Sequence, residues 1–351
     1  MLLKSKCEDF IVEEETSRYG RLNIDKKYDP LNLESKKDHL VCVLIKKNVE
    51  TFTFIQQFCK FYGISPQRLS FSGTKDKKAI TAQLFSIYKF SHKKLSFFNM
   101  KGVQIYPLEY SDKKVRLGEH KGNYFTITIR KLTSSHIEKL KEIPQEYYFP
   151  NYYGIQRFGE GNIKSWMIGK NILLRNWEKA VQLILQGAQK TESGEIKGYE
   201  KKISQYLFHH NAKDYLGALK TLPIHVLQMY VHSFQSYVFN KVVERMKDKL
   251  NKDAIITLPG YGFQGYAIKG EIENAIEEIY KEHHITAEMF NIPELHIKSE
   301  GMSRTAWSKA TNIQLKKIEK DDLNPSYFKA TLEFFLPKGS YATTFIEEVL
   351  K

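Results

Sequence analysis

The apolar periodicity of this chain changes twice along its length, and that limits the architecture more than any single motif does. In the first 150 residues, the stretch 122–130 alternates Phe125, Ile127 and Ile129 with Thr126, Thr128 and Arg130. A period of two predicts a half-buried strand. Leu40-Val41-Cys42-Val43-Leu44-Ile45 is an unbroken apolar run of strand length. Thr51 opens a predicted helix that puts Phe52, Ile55, Phe58, Cys59 and Tyr62 on one face and that Gly63 ends. From about residue 163 the period becomes helical. Trp177, Ala180, Val181, Ile184 and Leu185 mark one helix. Val226, Met229, Tyr230, Phe234, Tyr237, Val238 and Val242 mark the longest. Residues 330–336 return to a strand pattern closed by Pro337-Lys338-Gly339, and Ser340 is placed to cap a final helix reaching Leu350. A strand-rich, helix-rich, strand-rich order is most economically a helical domain spliced into a β-containing one.

The chain has 351 residues, enough for two or three domains, and 42% of them are hydrophobic, which excludes a disordered or collagen-like chain. No apolar run approaches the roughly 18 residues that span a bilayer, and the acidic start, with no long apolar core, predicts no secretory signal. The three cysteines (Cys7, Cys42, Cys59) form no C-x-x-C pair. A disulfide framework and a cysteine zinc site are therefore not expected, and a reducing cytoplasm is. The net charge of +14 is unevenly spread. Residues 1–50 carry 10 basic and 10 acidic side chains, residues 51–150 carry 17 and 7, and residues 251–300 carry 4 and 9. A concentrated basic field with aromatics interleaved suits a polyanion such as nucleic acid.

Gly260-Tyr261-Gly262-Phe263-Gln264-Gly265 has the spacing of a dinucleotide-binding turn, and residues 254–258 could be the strand before it. The residues after it, 266–270, read as a short strand and not as a helix, so a glycine-rich turn is the expectation. There is no P-loop, kinase signature or G-x-S-x-G elbow, and the pairs His209-His210 and His283-His284 lack metal-ligand spacing. The segment Ser72-Gly73-Thr74-Lys75-Asp76-Lys77-Lys78-Ala79 is more informative, because a lone carboxylate stands among three lysines on a turn between two strand-like runs. It reads either as a charged hairpin tip in solvent or as an aspartate aimed at a phosphate-attracting surface, where nearby cations favour the charged carboxylate.

This segment, continued through Ile80-Thr81-Ala82-Gln83, resembles the G-x-K-D-[KR]-x-A-x-T-x-Q stretch of the TruD family of tRNA pseudouridine synthases. The resemblance recurs in order along the chain. Asp9-Phe10-Ile11-Val12-Glu13-Glu14 is similar to D-F-x-V-x-E, Lys47-Asn48 with Thr51 to K-N…T, and Leu117-Gly118 with Gly122-Asn123-Tyr124-Phe125 to L-G…G-N-x-F. Pro150-Asn151-Tyr152-Tyr153-Gly154-Ile155-Gln156-Arg157-Phe158-Gly159 resembles P-N-Y-[FY]-G-x-Q-R-F-G. The helix segment 233–240 resembles S-x-Q-S-x-x-F-N, and residues 336–343 resemble L-P-x-G-S-[FY]-A-T.

The resemblance implies an α+β fold. A pseudouridine-synthase-type catalytic domain with a mixed, largely antiparallel sheet (residues 1–154 and 308–351) would be interrupted by an inserted helix-rich α/β (TRUD) domain at 155–307. It implies isomerisation of uridine to pseudouridine in tRNA, at position 13, with no cofactor and no metal, by a cytoplasmic protein expected to be a monomer without membrane partners. Asp76 would be the essential carboxylate, acting as nucleophile or as proton acceptor. Phe10 and Tyr341 would line the uridine pocket and Asn123 would contact substrate. Without the resemblance these three read as a core residue, a residue packed at a helix start and a turn residue. Lys75, Lys77, Lys78 and Arg157 are candidate contacts to the RNA backbone. The rival reading is a non-catalytic RNA-binding or RNA-chaperone protein on the same fold.

Overall fold

The computed structural model describes residues 1–35, 37–159, 161–187 and 198–351. They divide into two compact units, one of residues 1–149 with 309–351, the other of residues 150–308. In chain order the strands are β1 (Phe10–Thr16), β2 (Gly20–Arg21), β3 (His39–Lys47), β4 (Leu69–Phe71), β5 (Ile80–Tyr88), β6 (Val103–Ser111), β7 (Gly122–Leu132), β8 (Tyr147–Pro150), β9 (Ile255–Leu258), β10 (Asn291–Ile292), β11 (Ile297–Lys298), β12 (Met302–Thr305), β13 (Trp307–Lys320) and β14 (Phe328–Pro337). The helices used below are α1 (Thr51–Tyr62), α2 (Ser134–Lys141), α3 (Ile155–Phe158), α4 (Ser165–Leu173), α5 (Trp177–Gln186), α6 (Tyr199–His209), α7 (Tyr215–Lys220), α8 (Ile224–Met246), α9 (Glu271–Glu282) and α10 (Ala342–Leu350). The fold is α+β with a mixed sheet. Among the described residues no helix is long and apolar enough to cross a membrane.

The discontinuous unit is built on one sheet, ordered β6-β3-β5-β1-β7-β14-β13-β8. β1 and β5 run parallel, with Ile11 opposite Ile80, while the β3–β5, β3–β6, β1–β7, β7–β14 and β13–β14 pairs are antiparallel. β3 is covered on both faces, as its unbroken apolar run requires. Leu40, Cys42 and Leu44 pack under α1, and Val41, Val43 and Ile45 pack on the opposite side with Leu22 and Leu84. The alternation in β7 turns Phe125, Ile127 and Ile129 inward, against Phe334 and Leu332 of β14 and under Phe345 and Ile346 of α10. The Phe125 and Phe334 rings stack at 5.5 Å. A buried ion cluster ties the start of β1 to β7. Arg130 donates to both oxygens of Asp9 (2.9 and 2.8 Å), to Asp321 at 2.9 Å and to Asp322 at 2.7 Å.

Two local expectations need correction. The inward face of α1 is Phe54, Phe58 and Cys59, whereas Phe52 is 61% exposed. Periodicity alone left the helix phase open by one position, and the core took Phe54 because it meets Phe71, Phe85 and Phe98. The last helix has Tyr341, not Ser340, at its N-cap. Gly63 does end α1, in the left-handed conformation at φ 62°.

The second unit packs around the 23-residue α8, whose Phe234, Val238, Phe239, Val242 and Val243 are buried. A Cβ at Gly169 of α4 would lie 1.9 Å from the Tyr230 carbonyl oxygen, so the two helix backbones touch there and only glycine fits. β9 pairs with β12 and β10 with β11. Residues 266–270 form no strand, and α9 starts only at Glu271. Gly260 is packed by the backbone of Glu300, which a Cβ would approach to 2.3 Å, so the glycine spacing serves a tight turn.

The division between the units falls a few residues before 154. Residues 150–154 bond within the second unit, where Arg304 donates to the Asn151 carbonyl and side chain and Asn240 exchanges two hydrogen bonds with the Tyr153 backbone.

Candidate active site

The loop 72–79 leaves β4, runs back across β1 and enters β5, and it is fixed at several points by groups from neighbouring strands. At its start, buried Glu14 of β1 accepts from the Ser72 hydroxyl and from the Leu84 N–H (2.9 Å). Gln83 of β5 donates to the Gly73 carbonyl at 2.9 Å. At its centre, Lys46 at the end of β3 is fully buried, and its ammonium donates to the carbonyls of Val49 (3.0 Å), Lys75 (3.1 Å) and Asp76 (2.8 Å). At its end, the Asn48 N–H donates to the Ala79 carbonyl at 3.0 Å. A loop held this way keeps one conformation, because releasing any anchor would orphan buried polar groups.

Asp76 projects from this loop with its side chain 45% exposed, and its Oδ2 accepts from the Lys4 ammonium. The same ammonium lies 4.1 Å from the centroid of the Phe10 ring. Phe10 itself is 3% exposed and meets Phe125 edge-on at 6.0 Å, so it belongs to the core beneath the site. Asn123, second in β7, lies opposite Glu14 and Leu336. Tyr341, half-buried at the start of α10, follows the turn after β14, where Pro337 lies opposite Gly122.

The three loop lysines divide. Lys77 and Lys78 are exposed. Lys75 is turned inward, its side chain 8% exposed, pairing with Glu14 at 2.9 Å and donating to the Asn123 Oδ1 at 2.8 Å. The expectation of a phosphate contact is therefore revised for Lys75, since an ammonium buried against a carboxylate orients Asn123 and does not face a ligand backbone. Arg157 lies in the second unit, where its Nε donates to Ser236 of α8 at 3.0 Å.

Four supporting residues were not singled out from the sequence. Glu14 and Gln83 stand inside the D-F-x-V-x-E and T-x-Q segments, so a signal existed. Lys46 adjoins Lys47, the residue matched to K-N…T, but Lys47 pairs with Glu8 at the surface. Lys4 had no signal, because its partner is 72 residues away.

Burial pulls the Lys46 ammonium down to about 8, against the opposing charge of Asp76. The ammonium is then charged below about pH 8 and loses a proton above it, leaving two N–H donors for three carbonyls. If the clamp positions Asp76, the single-turnover rate should fall as the pH rises through about 8. Folding stability should move the other way, since a buried charged lysine costs stability that is relieved between pH 8 and its ordinary value of roughly 10.4. A rate that stays flat from pH 7 to 9.5 would remove Lys46 from the site.

The loop thus carries one half-exposed carboxylate paired with Lys4, whose ammonium also lies over the Phe10 ring, while the neighbouring Lys75 orients Asn123. Comparisons with known proteins identify the family. The family model described as tRNA pseudouridine synthase D (TruD) matches residues 1–204, 196–253 and 246–349. A protein of Nanoarchaeum equitans described as probable tRNA pseudouridine synthase D is 32% identical over 99% of this chain and 98% of its own length. One of Methanosarcina acetivorans with the same description is 30% identical over 99% and 92%. A crystal structure of a TruD-designated chain from Methanosarcina mazei superposes with a TM-score of 0.69 at 26% identity, covering 99% of this chain and 93% of that one. The chain belongs to the TruD family of tRNA pseudouridine synthases.

Proposed function

We propose that this chain converts uridine 13 of tRNA to pseudouridine with Asp76 as the essential carboxylate and without a cofactor, acting as a cytoplasmic monomer. In that isomerisation the bond from N1 to the ribose C1′ breaks, C5 bonds to C1′ instead, and the proton leaving C5 is balanced by one taken up at N1. Asp76 either attacks C1′ or abstracts a ribose proton. The observation that carries the reading is the clamped loop, which fixes the backbone of Asp76 while leaving its carboxylate half exposed and countered by Lys4. Preorganised charge of this kind acts only where charge develops. In this reading Asn123, oriented by Lys75, reads the uracil edge, and Tyr341 supplies a ring face for the extruded base. Lys77, Lys78 and the guanidinium of Arg157 contact phosphates.

The test is incubation of the purified protein with unmodified tRNA and no added cofactor, followed by chemical mapping of pseudouridine. Modification at position 13 supports the proposal, whereas tight binding with no pseudouridine would leave the non-catalytic RNA-binding reading. Charge reversal at Lys77 or Lys78 should flatten the salt dependence of binding by roughly one unit of slope for each phosphate no longer neutralised. An unchanged slope means these lysines are merely solvated.

The two aromatics should separate. Phe10→Ala empties a core position and is expected to cost about 3–5 kcal/mol of folding stability. Tyr341→Ala is expected to lose most turnover with a small shift in urea midpoint, since base stacking is worth about 1–3 kcal/mol. Early unfolding of Tyr341→Ala, with normal turnover by its folded fraction, would make that residue structural.

A further inference from the structure

The solvent face of α1 has the composition of an RNA track, and neither the core nor the catalytic loop uses it. Phe52, Gln56 and Lys60 follow one another at i, i+4 spacing, with Gln57 and Phe61 alongside. All five are exposed, Phe52 by 61% and Phe61 by 55%. A single exposed aromatic needs no explanation, but Phe52 and Phe61 bound the two margins of one solvent face, and the Phe61 margin continues into a third exposed ring. The short helix His92–Phe97 packs against the last turn of α1, where the Tyr62 hydroxyl donates to the Lys94 carbonyl at 2.5 Å and the Phe61 and Phe98 rings lie 5.6 Å apart. Phe97 is 71% exposed there, and Lys93 and Lys94 are exposed as well.

The two ends of the track differ in use. At its N-terminal end α1 abuts the catalytic loop, because the Lys46 ammonium that holds the Asp76 carbonyl also holds that of Val49, just before the helix. At its C-terminal end, about 18 Å away for a 12-residue helix, lies the lysine and phenylalanine cluster. The charge is one-sided. Between Glu50 and Glu109 the sequence holds nine lysines and arginines and one carboxylate, Asp76 itself.

We propose that this face binds the tRNA strand flanking the target uridine, with nucleotides laid along α1 from the catalytic loop to the His92–Phe97 turn. The phenylalanines would supply stacking faces, the glutamines amide contacts and the lysines phosphate contacts. Beyond the exposed Glu50 at its N-cap, the face carries ring, amide and ammonium groups along α1, which match a single-stranded polyanion in charge and in stacking surface. The proposal rests on the preceding one in taking tRNA as the substrate and the Asp76 loop as the place of the target uridine.

The test compares the full-length protein with a Phe52→Ala/Phe61→Ala variant, a Phe97→Ala variant and a Lys60→Glu/Lys93→Glu variant. The readouts are tRNA affinity at several salt concentrations, single-turnover rate at saturating protein, urea midpoint and oligomeric state. Each ring removed is expected to weaken binding roughly five- to a hundredfold, so Phe97→Ala shows one such loss and the double variant a larger one. The lysine variant should lose about one unit of salt slope per phosphate no longer neutralised. Saturated rates and urea midpoints should stay near wild type, since all these side chains are exposed. Unchanged affinity and slope would overturn the proposal, as would a change in oligomeric state at unchanged affinity, which would give the face to a second copy of the chain. If no variant and no wild-type sample forms pseudouridine, the proposed reaction fails, but the affinity ratios still judge this surface. If pseudouridine forms normally and the ratios stay at one, this surface alone fails.

Discussion

Asp76→Asn is expected to abolish turnover, by on the order of 10⁴-fold or more, the scale seen when a catalytic nucleophile is removed. Its urea midpoint should stay near wild type. The loop is anchored through the carbonyl of Asp76 and the side chains of Lys46, Gln83 and Glu14, none of which the substitution touches. The amide keeps the size of the carboxylate but can serve neither as nucleophile nor as base. The lost pair with Lys4 is half exposed at the aspartate, where such pairs contribute little to stability. tRNA affinity should be retained and slightly improved, because a negative charge leaves a surface meant to meet phosphates. Single-turnover kinetics beside urea unfolding decide it. Turnover near wild type would move the essential carboxylate elsewhere.

Arg130→Met should destabilise the fold about as strongly as Phe10→Ala. It removes the cation from Asp9 and Asp321, which are 3% and 2% exposed and keep only neutral donors, the Lys6 N–H at Asp9 and Leu323, Lys131 and Asn324 at Asp321; breaking one side of a buried ion cluster costs about 3–5 kcal/mol. Burial opposes ionisation of Asp321, but the Leu323 and Lys131 N–H groups, Asn324 and Arg130 outweigh it and hold the carboxyl at about 2. A carboxyl depressed from its ordinary value near 3.9 contributes stability above roughly pH 4 that is lost as the pH falls toward 2. The gap in urea midpoint between wild type and variant should therefore be widest near pH 7 and narrow toward pH 2.5. An equal gap at both would mean that the loss comes from packing and not from charge. The start of β1 should loosen with the cluster, since Asp9 directly precedes it, and turnover should fall with stability.

Local patterns made much of this protein legible. The alternation in residues 122–130 located β7 and its buried face, and the apolar run at 40–45 located β3, because burial imposes those periods directly. Charge pattern left Asp76 open between a solvated hairpin tip and a site residue, and it was the resemblance of its segment to G-x-K-D that singled it out. Phe52 was misread because a short helix with many phenylalanines satisfies two phases, and only the rings of Phe71 and Phe85 choose between them. Lys75 was misread because charge pattern cannot tell an ammonium facing solvent from one paired with a glutamate 61 positions earlier. Lys4 and Lys46 were invisible for the same reason. Each acts through a partner that the sheet register, not the sequence neighbourhood, brings to it.

The position of β14 sets an order in time. β7 pairs with β1 on one side and with β14 on the other, yet the strand that completes it begins only at residue 328. At about 5–20 residues per second, a ribosome needs on the order of 10–40 s to traverse the chain between those strands. The whole unit of residues 150–308 is made in that interval, while the far edge of β7 still lacks the strand that will cover its backbone. Asp76 is thus synthesised well before Tyr341, so a nascent chain carries its carboxylate long before the ring proposed to receive the base. On that proposal the pocket gains its ring only after the second unit has been made.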